Sequence, residues 1–140
     1  MTALITEGIQ SIFNGNLQRI NRQSKIVVEV SSGAESVQNL LRLESALETA
    51  VKLKDAGADV RLVFDGAGTK WVPKIANPRH RLNKLFSALV DRAPAACKYC
   101  ASTFHVEAAV RNSGVILLDE YHSQSRINDL ISTEYETVSF

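Results

Sequence analysis

The stretch from KIVVEVS at residues 25–31 to DVRLVF at residues 59–64 reads as strand, helix, strand. KIVVEVS is apolar almost throughout, rich in Val and Ile, and followed by a Ser32-Gly33 turn signal. A near-continuous apolar run belongs to a strand covered on both faces, as at the centre of a parallel sheet. Ser36 can cap a helix that begins at Val37. Leu40, Leu43, Leu47 and Ala50 place an apolar stripe on that helix, and Leu41, Val51 and Leu53 widen it. Gly57 suits a left-handed C-cap. DVRLVF is then the second strand of a βαβ unit, which crosses over right-handed and sets its strands parallel.

Further elements extend this unit on both sides. Asp65-Gly66-Ala67-Gly68 follows the second strand, at the edge where open α/β sheets bind ligands. Trp71 and Val72 begin a short helical stretch. Asn77-Pro78 has the pattern of an N-cap with proline at the first helical position. The helix it predicts carries Leu82, Leu85, Phe86, Leu89 and Val90. Residues 95–99 read as a third strand, with Ser102 or Thr103 capping a helix through Val106, Ala109 and Val110 to Gly114. Residues 115–118 and 135–140 read as strands four and five, with a helix capped by Ser125 between them. The predicted architecture is α/β, a three-layer α/β/α domain with a mostly parallel five-stranded sheet over residues 25–140. Residues 1–24 form an added N-terminal helical extension, since Ile5, Ile9, Ile12, Phe13, Leu17 and Ile20 recur at helical spacing. Its stripe is expected to pack on the domain or on a neighbouring subunit.

A chain of 140 residues is long enough for one domain with a full core. With 45% apolar and 22% charged residues, it is not a disordered chain. A net charge of +1 and only 6% aromatics give no case for nucleic acid, and Arg19, Arg22 and Lys25 read as a solvated face. No apolar run approaches the ~18 residues of a membrane span. Glu7 and Gln10 interrupt the opening residues, which lack the pattern of a secretory signal. A cytoplasmic protein with two free thiols is expected.

The strongest chemical feature is Cys97-Lys98-Tyr99-Cys100, with His105 five residues on. Cys100 falls just before the predicted helix start, where backbone N–H groups favour a thiolate. Lys98 and His105 are candidates to assist it. A strand continued through Tyr99 would point Cys97 to the opposite face as a packing residue, and it disfavours a thioredoxin-like dithiol. No second cysteine pair accompanies the first, and His80, His105 and His122 lack ligand spacing, so no metal and no organic cofactor is expected. Asp65, Gly66, Gly68 and His122 are candidate pocket residues on the same sheet edge. Gly66 and Gly68 do not make a dinucleotide fingerprint, and no Walker or nucleophile-elbow motif occurs.

In layout, residues 25–140 resemble the DsrE/DsrF-like proteins, small domains linked to sulfur trafficking. The resemblance rests on KIVVEVSSG, on KLKDAGADVRLVFDGAG (52–68), on LNKLFSALVDR (82–92), on AACKYC (95–100), on RNSGV (111–115) and on INDLISTEYETVSF (127–140). It implies a homo-oligomer, commonly a trimer or hexamer, and a sulfur carrier or sulfurtransferase that relays sulfane sulfur as a persulfide on Cys100. Sulfur donor and acceptor proteins would be its partners. Cys97 has no counterpart in that pattern. The rival expectation is a non-catalytic oligomeric module that binds a small ligand at the strand ends.

Overall fold

The computed structural model describes Ile20 and residues 23–118 and 135–140. The described elements are β1 (Lys25–Val30), α1 (Val37–Asp55), β2 (Asp59–Phe64), α2 (Val72–Ile75), α3 (Asn83–Ser87), β3 (Ala95–Cys97), α4 (Lys98–Thr103), α5 (Glu107–Asn112), β4 (Ile116–Leu118) and β5 (Glu136–Ser139). A 3₁₀ turn over Gly66–Trp71 joins β2 to α2. The strands form one sheet in the order β4-β3-β2-β1-β5, and every pairing is parallel. This is the expected α/β class, consistent with a three-layer plan.

The period of two along β1 divides its side chains between two cores. Ile26, Val28 and Val30 join Leu43, Leu47, Ala50 and Leu53 of α1 in the larger cluster. Val27 faces the other way, with Val63, Ala95, Cys97, Cys100 and Leu118. The strand therefore lies between β2 and β5 with apolar residues buried on both faces, as its composition predicts. Ile20 is buried in the larger cluster, so the chain ahead of β1 reaches the core at that point. The rest of the expected helical extension is outside the described residues, except residues 23 and 24. So are His122 and the helix expected after Ser125.

Helix α1 forms as its pattern predicts. The Ser36 hydroxyl accepts from the Asn39 N–H at 3.1 Å, and Gly57 takes φ 92° just past the C-cap. Leu41 departs from the expected stripe and is 50% exposed. The helix expected from Asn77 is shorter than predicted and begins at Asn83. The Asn77 carboxamide accepts from the Arg79 N–H at 2.9 Å and His80 Nδ1 accepts from the Leu82 N–H at 3.1 Å, holding residues 77–82 in turns. Such local side-chain bonds compete with helix. Val90 lies beyond α3 and is 52% exposed.

The larger correction concerns β3. The strand stops at Cys97, and α4 begins at Lys98 rather than after Ser102. Thr103 closes this helix instead of capping another, since its hydroxyl donates back to the Tyr99 carbonyl at 2.9 Å. A left-handed His105, φ 59°, separates α4 from α5.

Close approach at the end of β1 positions the loop after β2. An added Cβ at Gly68 would lie 2.1 Å from the Val30 carbonyl oxygen, whereas at Gly66, φ +52°, it would meet nothing. Gly68→Ala should therefore lower stability by at least about 1–3 kcal/mol. Gly66→Ala should lose only about 1–2 kcal/mol, the cost of a left-handed backbone. Chemical denaturation of the two variants checks the order, and equal losses would refute it.

Candidate functional site

The parallel sheet brings the ends of β2 and β3 to one edge, and three polar side chains meet there. Asp65 follows β2 directly, and its backbone N–H donates to the Val30 carbonyl at 2.9 Å. Its carboxylate caps the 3₁₀ turn, accepting from the Gly66 N–H at 2.9 Å. Cys97 ends β3 and is the N-cap of α4 in extended conformation, φ −67° and ψ 118°. Its Sγ accepts from the Cys100 N–H at 3.2 Å. Cys100 lies in the first turn of α4, and its thiol donates to Asp65 Oδ1 at 3.4 Å. The two sulfurs and a carboxylate oxygen all lie within 4.8 Å of one another.

The extended third strand had separated the cysteines onto opposite faces. Ending it at Cys97 puts both sulfurs in the smaller core cluster. The CxxC spacing was the available signal for this pair. It was obscured because cysteine is not among the usual N-cap residues, so nothing in the sequence marks Cys97 as a helix start. The approach of Asp65 to Cys100 joins residues 35 positions apart, and no local pattern announces it.

Cys100 stands at the expected sheet edge, but its surroundings oppose the thiolate that a helix start favours. It is 7% exposed. Burial, and then its contact with the Cys97 thiol, push its pKa from 9.0 up to about 12. The Asp65 carboxylate acts in the same direction, and the Gly66 N–H opposes it. Magnitudes decide the balance. A helix dipole contributes about 0.3–1 kcal/mol at exposed sites, less than about one pKa unit, against a rise of about three. The resting thiol is therefore protonated. The groups that shift Cys100 are Cys97, Gly66 and Asp65. Lys98 is the first residue of α4, and His105 is exposed beyond its far end.

Asp65, Cys97 and Cys100 are also the donor types that bind a thiophilic metal, one short of a closed four-ligand zinc site. Of the expected pocket residues, Asp65 borders the thiols, while Gly66 and Gly68 shape the loop behind it. A cavity of about 340 Å³ opens elsewhere along the same strand ends, between β1, β5 and α1. Ser31, Ser32, Gln38, Arg42, Ser139 and Phe140 line it.

Fold and site together define a parallel α/β domain with a cysteine pair at the carboxyl edge of its sheet. Among solved structures, the chain is similar to the YchN protein from E. coli, a protein of DsrE/DsrF-like fold. The TM-score is 0.58 at 14% identity, over 84% of this chain and 100% of that one. At that identity the likeness establishes the fold, so the resemblance to DsrE/DsrF-like proteins holds at the level of fold. No protein-family model and no curated protein matches the chain.

Alkylation of Cys100, followed by peptide mass mapping, should keep accelerating from pH 7 through pH 10. A plateau near pH 8 would contradict the raised thiol pKa. Asp65→Asn, which removes the neighbouring negative charge, should speed alkylation at pH 8. Stability carries the same sign. A thiol whose pKa rises on folding from 9.0 to about 12 stabilises the fold below pH 9. That contribution disappears as pH climbs through the 9–12 window, so the stability of wild type relative to Cys100→Ser should fall there.

Proposed function

We propose that the chain is a DsrE-like sulfur carrier, or sulfurtransferase, that takes up sulfane sulfur on Cys100. The supporting observation is the convergence of two thiols and a carboxylate at the carboxyl edge of a parallel sheet. In the transfer, Cys100 Sγ attacks the outer sulfur of a donor persulfide. The Sγ–S bond forms, the donor's S–S bond breaks, and the donor leaves as a thiolate that takes up the Cys100 proton. The sulfane sulfur keeps its oxidation state, so no redox cofactor is required.

A protonated, buried thiol gives this carrier a particular character. With its pKa pushed well up by burial and the neighbouring thiol, Cys100 is held in the protonated form at pH 7. Small oxidants, which are attacked by the thiolate and not the thiol, react slowly with such a group. A small sulfane-sulfur donor therefore loads Cys100 slowly at neutral pH, and a donor that displaces the solvent at the site loads it faster. The donor and the acceptor are proteins of sulfur metabolism in this reading, and the carrier is a cytoplasmic homo-oligomer, a trimer or hexamer. Among the described residues no helix is long and apolar enough to cross a membrane.

The second reading, a non-catalytic ligand-binding module, is favoured by the cavity beside β1 and β5. There Arg42 Nε is buried and has no hydrogen-bond partner among the described residues. One experiment separates the two. After incubation with a sulfane-sulfur donor, the chain should gain about 32 Da on the peptide holding Cys100, and Cys100→Ser should not. An unmodified wild-type chain would leave the binding module as the better account.

A further inference from the structure

We propose that Cys97 is a resolving thiol, which discharges a Cys100 persulfide as hydrogen sulfide and leaves a Cys97–Cys100 disulfide. The proposal rests on the sulfur-carrier reading of Cys100 and adds a second fate for the bound sulfur.

Three observations lead to it. The Cys97 and Cys100 sulfurs are within 4.8 Å of each other, a gap that side-chain rotation can close. Cys97 Sγ already sits against the backbone of Cys100, held by the 3.2 Å contact with its N–H. The two thiols also differ in access, with Cys97 0% and Cys100 7% exposed. A donor therefore meets Cys100 first, while Cys97 is out of its reach and beside the inner sulfur of any persulfide formed there. The outer sulfur of that persulfide extends away from the Cys100 side chain, which leaves the inner sulfur open to attack from the protein side.

The step balances without another reagent. Cys97 gives up its proton, and its sulfur bonds to Cys100 Sγ. The bond from Cys100 Sγ to the outer sulfur breaks, and hydrosulfide leaves and takes the proton. Two electrons pass from the pair of protein thiols to the sulfane sulfur, so the persulfide is itself the oxidant. A thiol reductant, small or protein-borne, then reduces the disulfide and restores both thiols.

The test uses the full chain, fully reduced and free of oxygen, with inorganic polysulfide as the donor. Excess donor is removed before intact mass and released sulfide are followed. Wild type should gain about 32 Da and then fall to about 2 Da below its reduced mass, releasing one sulfide per chain. Cys97→Ser keeps an oxygen that can accept the Cys100 N–H, and it should hold the added sulfur at least about tenfold longer without releasing sulfide. Cys97→Ala should behave as Cys97→Ser does, which separates loss of the thiol from loss of the cap. Equal persistence of the adduct in wild type and both variants, with no sulfide released, would overturn the resolving role and leave the carrier intact. Failure of every variant that retains Cys100 to gain sulfur would overturn the carrier reading, and this proposal with it.

Discussion

The hydrogen bond from the Asp65 N–H to the Val30 carbonyl, 2.9 Å long, carries the parallel register of β1 and β2 one residue beyond Phe64. The candidate site depends on that extension. It fixes where the chain leaves β2 and begins the 3₁₀ turn, and Gly68 then passes so close to the same carbonyl that a side chain would collide with it. Trp71 ties the turn down again, its indole N–H donating to the Ser32 carbonyl at 2.9 Å. The result is a loop anchored to the end of β1 at three points. Its carboxylate is delivered to the neighbouring end of β3, where the cysteines are.

At that edge, two effects act on Cys100 in opposite directions. The first turn of a helix and the Gly66 N–H favour a thiolate. Removal from water, the neighbouring thiol and the Asp65 carboxylate favour the neutral form, and they prevail. The arrangement differs from that of a fast redox cysteine, whose pKa is lowered by cations or an open helix end. Here the thiol is sequestered rather than activated.

Cys97 has a structural task. Its sulfur stands in for the hydroxyl or carboxylate that ordinarily caps a helix, and it does so at the last position of a strand. Strand and helix therefore meet with no loop between them. That abrupt junction keeps Cys97 inside the smaller core and lets Cys100, three residues on, approach the loop after β2. The smaller core thus holds both thiols, whereas the larger core lies under α1.

The sequence by itself determined the sheet and the long helix. KIVVEVS and DVRLVF are strands because β-branched residues fill them and glycine-bearing turns bound them. Ser36 and Gly57 mark the ends of α1 because each answers a local backbone requirement, a donor to satisfy and a positive φ to adopt. The edge of the sheet on which chemistry could sit was legible for the same reason, since a parallel βαβ unit leaves its loops in known places. Only the tertiary structure decided the end of β3, the meeting of the two sulfurs and the protonation of Cys100. The first turns on a thiol doing the work of a cap, which composition does not signal. The others depend on Asp65, far away in sequence, and on the exclusion of water by packed elements, neither of which is a property of any local stretch of chain.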